Sequence, residues 1–165
     1  MGLLQPHGRR GGRLRQARLS GAERVIVIHS PAHARAALAA AASLAVPVTL
    51  ASAPGAGIYA GPGWFKAVVE TARAEFPAVE VSGVLDCGDA PGMVLAALRQ
   101  GLKRVRFDGS DAVAERLAEI AAQCGAVIER TVLAPALDLL DRDDPEAACR
   151  DFLAAERDPP PSRST

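Results

Sequence analysis

Residues 79–111, VEVSGVLDCGDAPGMVLAALRQGLKRVRFDGSD, contain one pattern written twice. An apolar run ends in a short acidic turn, first Leu85-Asp86-Cys87-Gly88-Asp89 and then Phe107-Asp108-Gly109-Ser110-Asp111, and a helical pattern follows each. The run from Val79 to Leu85 predicts a strand, and Asp89-Ala90-Pro91 predicts a helix entry with Asp89 as N-cap and proline in the first turn. That helix extends to Gly101, a C-cap candidate, and Arg104 to Phe107 predicts the next strand, with basic residues at 104 and 106 alternating with Val105 and Phe107. Two strand-to-helix turns of one kind indicate one edge of a parallel sheet, where α/β proteins place their ligands.

Working outward, Arg24 to Ile28 reads as a buried strand ended by His29-Ser30-Pro31. An alanine-rich helix covers 32–45, and Pro47 to Ala51 forms a second strand. Residues 52–63, SAPGAGIYAGPG, read as a long flexible loop, and the apolar spacing at 64, 65, 68, 69, 72 and 76 predicts a helix closed by Pro77. On the far side, Asp111 to Cys124 is helical and Ala126 to Glu129 is a fifth strand. Residues 131–140 are ambiguous, and Asp144-Pro145 opens a last helix fading near Arg157. The outcome is an α/β fold with a five-stranded parallel sheet and flanking helices. It is either a partial half of a TIM-like barrel, whose inner face should be apolar, or an open flavodoxin-like sheet.

The chain has 165 residues, 49% hydrophobic and 4% aromatic, so its core must rest on Ala, Val and Leu. That length suits a single α/β domain at 24–156 between a basic segment at 1–23 and a Pro/Ser tail at 157–165, both expected to lack order. Nineteen acidic and nineteen basic residues cancel, which argues against nucleic-acid binding by the folded domain. The balance is uneven, because Arg9, Arg10, Arg13, Arg15 and Arg18 precede the first acid, Glu23. No apolar run reaches the roughly 20 residues needed to span a bilayer, and no signal peptide is visible, so a cytoplasmic protein is expected. Cys87, Cys124 and Cys149 are too scattered for a disulfide framework or a zinc motif.

From about Ala36 to Arg130 the sequence resembles class II fructose-bisphosphate aldolases and their tagatose-bisphosphate relatives. The likeness lies in an ordered series: AAASLAVPVTLASAPGAGIYAG, FKAVVETA, VEVSGVLDCGD, AALRQGLKRVRFDGSD and GAVIER. The resemblance implies that Asp86 occupies the place of the catalytic acid/base, and that Cys87 stands where the family has a zinc-binding histidine. Val84 replaces the first histidine of the motif, and Glu129 corresponds to a glutamate near the end of the fifth strand. The family's other zinc ligands and phosphate loops belong to later strands that 165 residues cannot supply.

The expectation is a degenerate aldolase-like domain without zinc-dependent aldolase activity. It would bind a small polar metabolite or a protein partner at the edge carrying Ser52, Asp86, Asp108, Ser110 and Glu129. The alternative is an active lyase completed by a homo-oligomer, with Cys87 on zinc and Asp86 as acid/base. A flavodoxin-like regulatory module is a third reading, although His29-Ser30 stands where such modules carry acids. Each site residue also has a plain structural role open to it: Asp86 and Asp108 as caps, Cys87 as a small packed residue.

Overall fold

The computed structural model describes residues 23–155. The basic segment before Glu23 and the tail from 157 lie outside the described residues. The elements are β1 (Val25–Ile28), α1 (Pro31–Leu44), β2 (Val48–Ser52), α2 (Ala56–Tyr59), α3 (Pro62–Glu75) and β3 (Val81–Asp86). They continue with α4 (Pro91–Arg99), β4 (Arg104–Arg106), α5 (Asp111–Gln123), β5 (Val127–Glu129), β6 (Ala136–Asp138) and α6 (Pro145–Ala155).

Proline opens α1, α3, α4 and α6, at the position where a missing N–H costs nothing. Ser30 caps α1 by accepting from the His33 N–H. Helix α4 departs from expectation, since its N-cap is Ala90 and not Asp89. The chain between 52 and 63 is also more ordered than its glycines suggest. It contains the short helix α2, and Pro62 already belongs to α3.

All strands are parallel, in the order β5-β4-β3-β2-β1-β6. The first five therefore neighbour one another in chain order, the arrangement of a partial barrel and not of a flavodoxin-like sheet. A sixth strand, drawn from the ambiguous 131–140 stretch, pairs with β1 at the opposite edge. Residues 130–135 alone carry the chain from the end of β5 to the start of β6, a step of at most about 24 Å.

The helices pack side by side in the order α6, α1, α3, α4, α5 against one face of the sheet. That face is apolar. Ile26, Ile28, Val48, Leu50, Leu85, Val105 and Phe107 meet Ala37, Leu38, Ala41, Phe65, Val94, Leu117 and Leu153 in one buried cluster. The alanines of α1 let α3 and α6 approach closely, which is how a chain with few aromatics fills its core.

Side chains alternate across a strand, so the intervening residues form the other face. Val25 and Val84 lie there, buried yet outside the apolar cluster. The expected apolar inner face is not what the structure has. The face is crossed by ion pairs: Arg104 donates to Glu23 and Glu129, and Arg106 to Asp86 and Asp108. The Arg104–Glu23 pair links β4 to the residue leading into β1, three strands away, about 14 Å across a flat sheet. The sheet is thus curled, with the ionic face on its concave side.

Candidate functional site

The C-terminal edge of the concave face is built around Asp86, the last residue of β3. One carboxylate oxygen accepts from the backbone N–H groups of Gly55 and Gly88, both at 2.9 Å. The other accepts from Arg106, directly opposite it on β4. The Asp86 N–H donates to the Ser52 hydroxyl at 2.9 Å, and that hydroxyl donates to the Ala53 carbonyl at 3.1 Å. Asp86 therefore gathers the ends of β2, β3 and β4 through charge-assisted bonds, which are the stronger kind.

Arg106 lies between two acids. It contacts Asp86 and reaches Asp108 at 3.3 Å, and its Nε is buried without a hydrogen-bond partner among the described residues. Its side chain is 16% exposed, against 45% for Asp108. The two acidic turns are joined directly, for the Asp108 N–H donates to the Gly88 carbonyl at 2.9 Å. Arg130 fastens the second turn by donating to the carbonyls of Phe107 (2.6 Å) and Gly109 (2.7 Å) and to Asp111 (2.9 Å). Its guanidinium also stands 5.6 Å from the centre of the Phe107 ring. Glycine is required at 109, because a Cβ there would lie 2.3 Å from the Phe107 ring.

Across the edge, the His29 Nε2 and the Asp138 carboxylate are 2.6 Å apart, bringing β1 and β6 together. Burial opposes ionisation of Asp138, but the Leu140 N–H and His29 outweigh it and hold the carboxyl below its usual range. Burial lowers His33, and the neighbouring His29 lowers it further.

Deeper in the concavity, Glu129 accepts from Arg104 Nε at 2.9 Å and Nη2 at 2.7 Å. Glu23 accepts from Arg104 and from the Thr49 hydroxyl at 2.9 Å, while Ser82 accepts from Arg104 at 3.2 Å. The hydrogen bond from Arg104 holds the Glu23 carboxyl below its usual range despite partial burial, and the Glu23 bond raises Arg104 in turn.

Ser52, Asp86 and Asp108 thus belong to one polar group held by Arg106, and Glu129 to a second held by Arg104, side by side on the concave side and its rim. Ser110 is the exposed residue before α5 and makes no side-chain cap. Cys87 lies elsewhere. Its side chain is in the apolar cluster under the helices, where burial, and then the charge of Asp86, push the thiol up to about 12. Gly57 presses against it so closely that an added Cβ would stand 2.6 Å from the sulfur.

The Cys87 side chain on the helix side and the Asp86 carboxylate on the concave side do not converge as the ligands of a shared zinc ion would. Among the described residues no group of three His, Cys, Asp or Glu side chains is arranged to hold a metal. Neither is any described helix long and apolar enough to cross a membrane.

The residues that sequence reasoning passed over are Glu23, Arg104, Arg106, Arg130 and the His29–Asp138 pair. The alternation of 104 and 106 with Val105 and Phe107 was the signal for two of them, since it puts both arginines on one face.

No protein-family model and no curated protein matches the chain. Solved structures do. A protein from Coccidioides immitis assigned as a fructose-1,6-bisphosphate aldolase superposes with a TM-score of 0.56 at 17% identity, over 67% of this chain and 46% of that one. A protein from Sinorhizobium meliloti 1021 assigned as a tagatose 6-phosphate kinase superposes with a TM-score of 0.52 at 21% identity, over 82% of this chain and 43% of that one. The chain spans less than half the length of either protein. At such identities the likeness concerns architecture alone: this chain has an aldolase-like α/β fold, with a parallel six-stranded sheet and its helices on one face.

Proposed function

We propose that this aldolase-like domain binds a small, hydroxyl-bearing polar metabolite at the C-terminal edge of its concave face, without zinc-dependent aldolase chemistry. The observation that carries the reading is Arg106, held between Asp86 and the half-exposed Asp108 at the C-terminal edge. A fixed donor beside a half-exposed carboxylate suits a ligand that both accepts and donates hydrogen bonds, as sugar hydroxyls do. The two structural neighbours are assigned by name to phosphorylated sugars or their kinases, which favours the same ligand class. The absence of aldol chemistry is supported by Cys87 and Asp86 facing opposite sides of the sheet, and by an Asp86 carboxylate already occupied by three donors.

The test is ligand-detected NMR with sugars, ketose phosphates and triose phosphates, alongside zinc analysis and a ketose-phosphate cleavage assay. Binding that Asp108→Ala weakens by about tenfold without lowering the melting temperature is expected, the loss of one charge-assisted contact. Stoichiometric zinc together with cleavage would overturn the reading, as would binding that Asp108→Ala leaves unchanged.

A further inference from the structure

The concave face and the segment that leads into it carry opposite charge. On the face, five carboxylates (Glu23, Asp86, Asp108, Glu129 and Asp138) are set against two guanidiniums, Arg104 and Arg106, with His29 beside Asp138. No helix among the described residues packs on that side, since α6, α1, α3, α4 and α5 share the other. Residues 1–22 contain no acid and five arginines, Arg9, Arg10, Arg13, Arg15 and Arg18, together with Leu3, Leu4, Leu14 and Leu19.

We propose that residues 1–22 of the chain dock along the concave face, their arginines against its unbalanced carboxylates. Three further observations support that occupant. The segment joins the fold at Glu23, whose own carboxylate already lies in the concave network with Arg104 and Thr49, so the chain enters at the rim of this face. Its reach is ample: 22 residues extend to about 70 Å, whereas six strands are only about 24 Å wide. An apolar side chain also lies there, Val127 of β5, level with Arg104 and 56% exposed, a match for the leucines of the segment. A second copy meeting this face with its own would set acid against acid, which electrostatic complementarity disfavours.

The experiment is tryptic cleavage of the full chain at low ionic strength, followed by mass spectrometry. Cleavage after Arg15 and Arg18 is compared with that of a synthetic peptide of residues 1–22. Docking makes cleavage in the chain about tenfold slower than in the peptide, the protection that several weak surface pairs provide together. The protection should be independent of protein concentration and largely lost at about 0.5 M salt, where such pairs are screened.

Two full-length variants sharpen the test. Asp108→Asn with Asp138→Asn removes charge from the face, and Arg9→Gln with Arg10→Gln and Arg13→Gln removes it from the segment while leaving the folded domain untouched. Each should bring cleavage at Arg15 and Arg18 most of the way to the peptide rate. Equal rates in wild-type chain and peptide would overturn the proposal. So would protection that rises with protein concentration, which assigns the face to a second copy, or protection that survives the arginine variant.

Discussion

The two faces of the sheet are made by the same strands, residue by residue in alternation, and they are held by different forces. On the helix side, Ile26, Leu50, Leu85 and Val105 are fully buried against α1, α3 and α4, and dispersion and the hydrophobic effect carry the packing. On the concave side, Thr49, Ser82, Glu23 and Glu129 gather on Arg104, and Asp86 and Asp108 on Arg106, through hydrogen-bonded ion pairs that keep some contact with water. A closed barrel fills its interior with packed side chains. A curled open sheet leaves that interior reachable by solvent, and long side chains spanning several strands cover it instead. The contrast teaches where chemistry can reside: the helix face is committed to stability, and the concave face is polar and organised.

The largest expected effect lies on the helix face. Phe65→Ala empties a fully buried site against Gly83 and Val69 and should cost about 3–5 kcal/mol in chemical denaturation. A loss below about 1 kcal/mol would mean that the apolar layer does not dominate. Next comes Arg104→Ala, which leaves Glu23 and Glu129 without their shared cation. Because these groups are partly solvated, the loss should be about 2 kcal/mol, between the buried and the surface limits. A double-mutant cycle with Glu129→Gln should show coupling there, and additivity would break the description of the concave face as a network.

The smallest effect separates the faces by pH. Arg104 holds the folded Glu23 carboxyl below its ordinary value of 4.5, so the stabilisation is complete above that value and disappears as pH falls through the lower folded value. Glu23→Gln should therefore flatten the acid limb of a stability–pH profile, while Phe65→Ala lowers the profile without changing its shape. An unchanged acid limb in Glu23→Gln would show that the pair does not stabilise the fold.

Much of the architecture is legible in the chain because it rests on local patterns. The β-branched run at 25–28, the prolines opening four helices and the repeated acidic turns all act over a few residues, and the five expected strands are present. The sixth escaped, since Ala136-Leu137-Asp138 has neither length nor β-branching, and its partner β1 is over a hundred residues earlier. Asp89 escaped as a cap for a different reason: α4 starts at Pro91, one residue later than a cap at 89 requires.

The acidic turns were visible as site candidates, but Arg106 was visible only as half of an alternation. That it stands between Asp86 and Asp108 depends on β4 pairing with β3 in one register, with Asp86 opposite Arg106. A one-residue slip would have turned Arg106 toward the helices.

By itself, then, the amino-acid sequence determined the alternation of strands and helices, the parallel sheet they imply and the acidic ends of β3 and β4, all consequences of short-range periodicity and turn chemistry. The tertiary structure alone decided the strand order, the placement of every helix on one face, the separation of Cys87 from Asp86 and the ionic lining of the concavity. Those depend on register and curl, and on contacts between residues as far apart as Glu23 and Arg104, which local sequence does not encode.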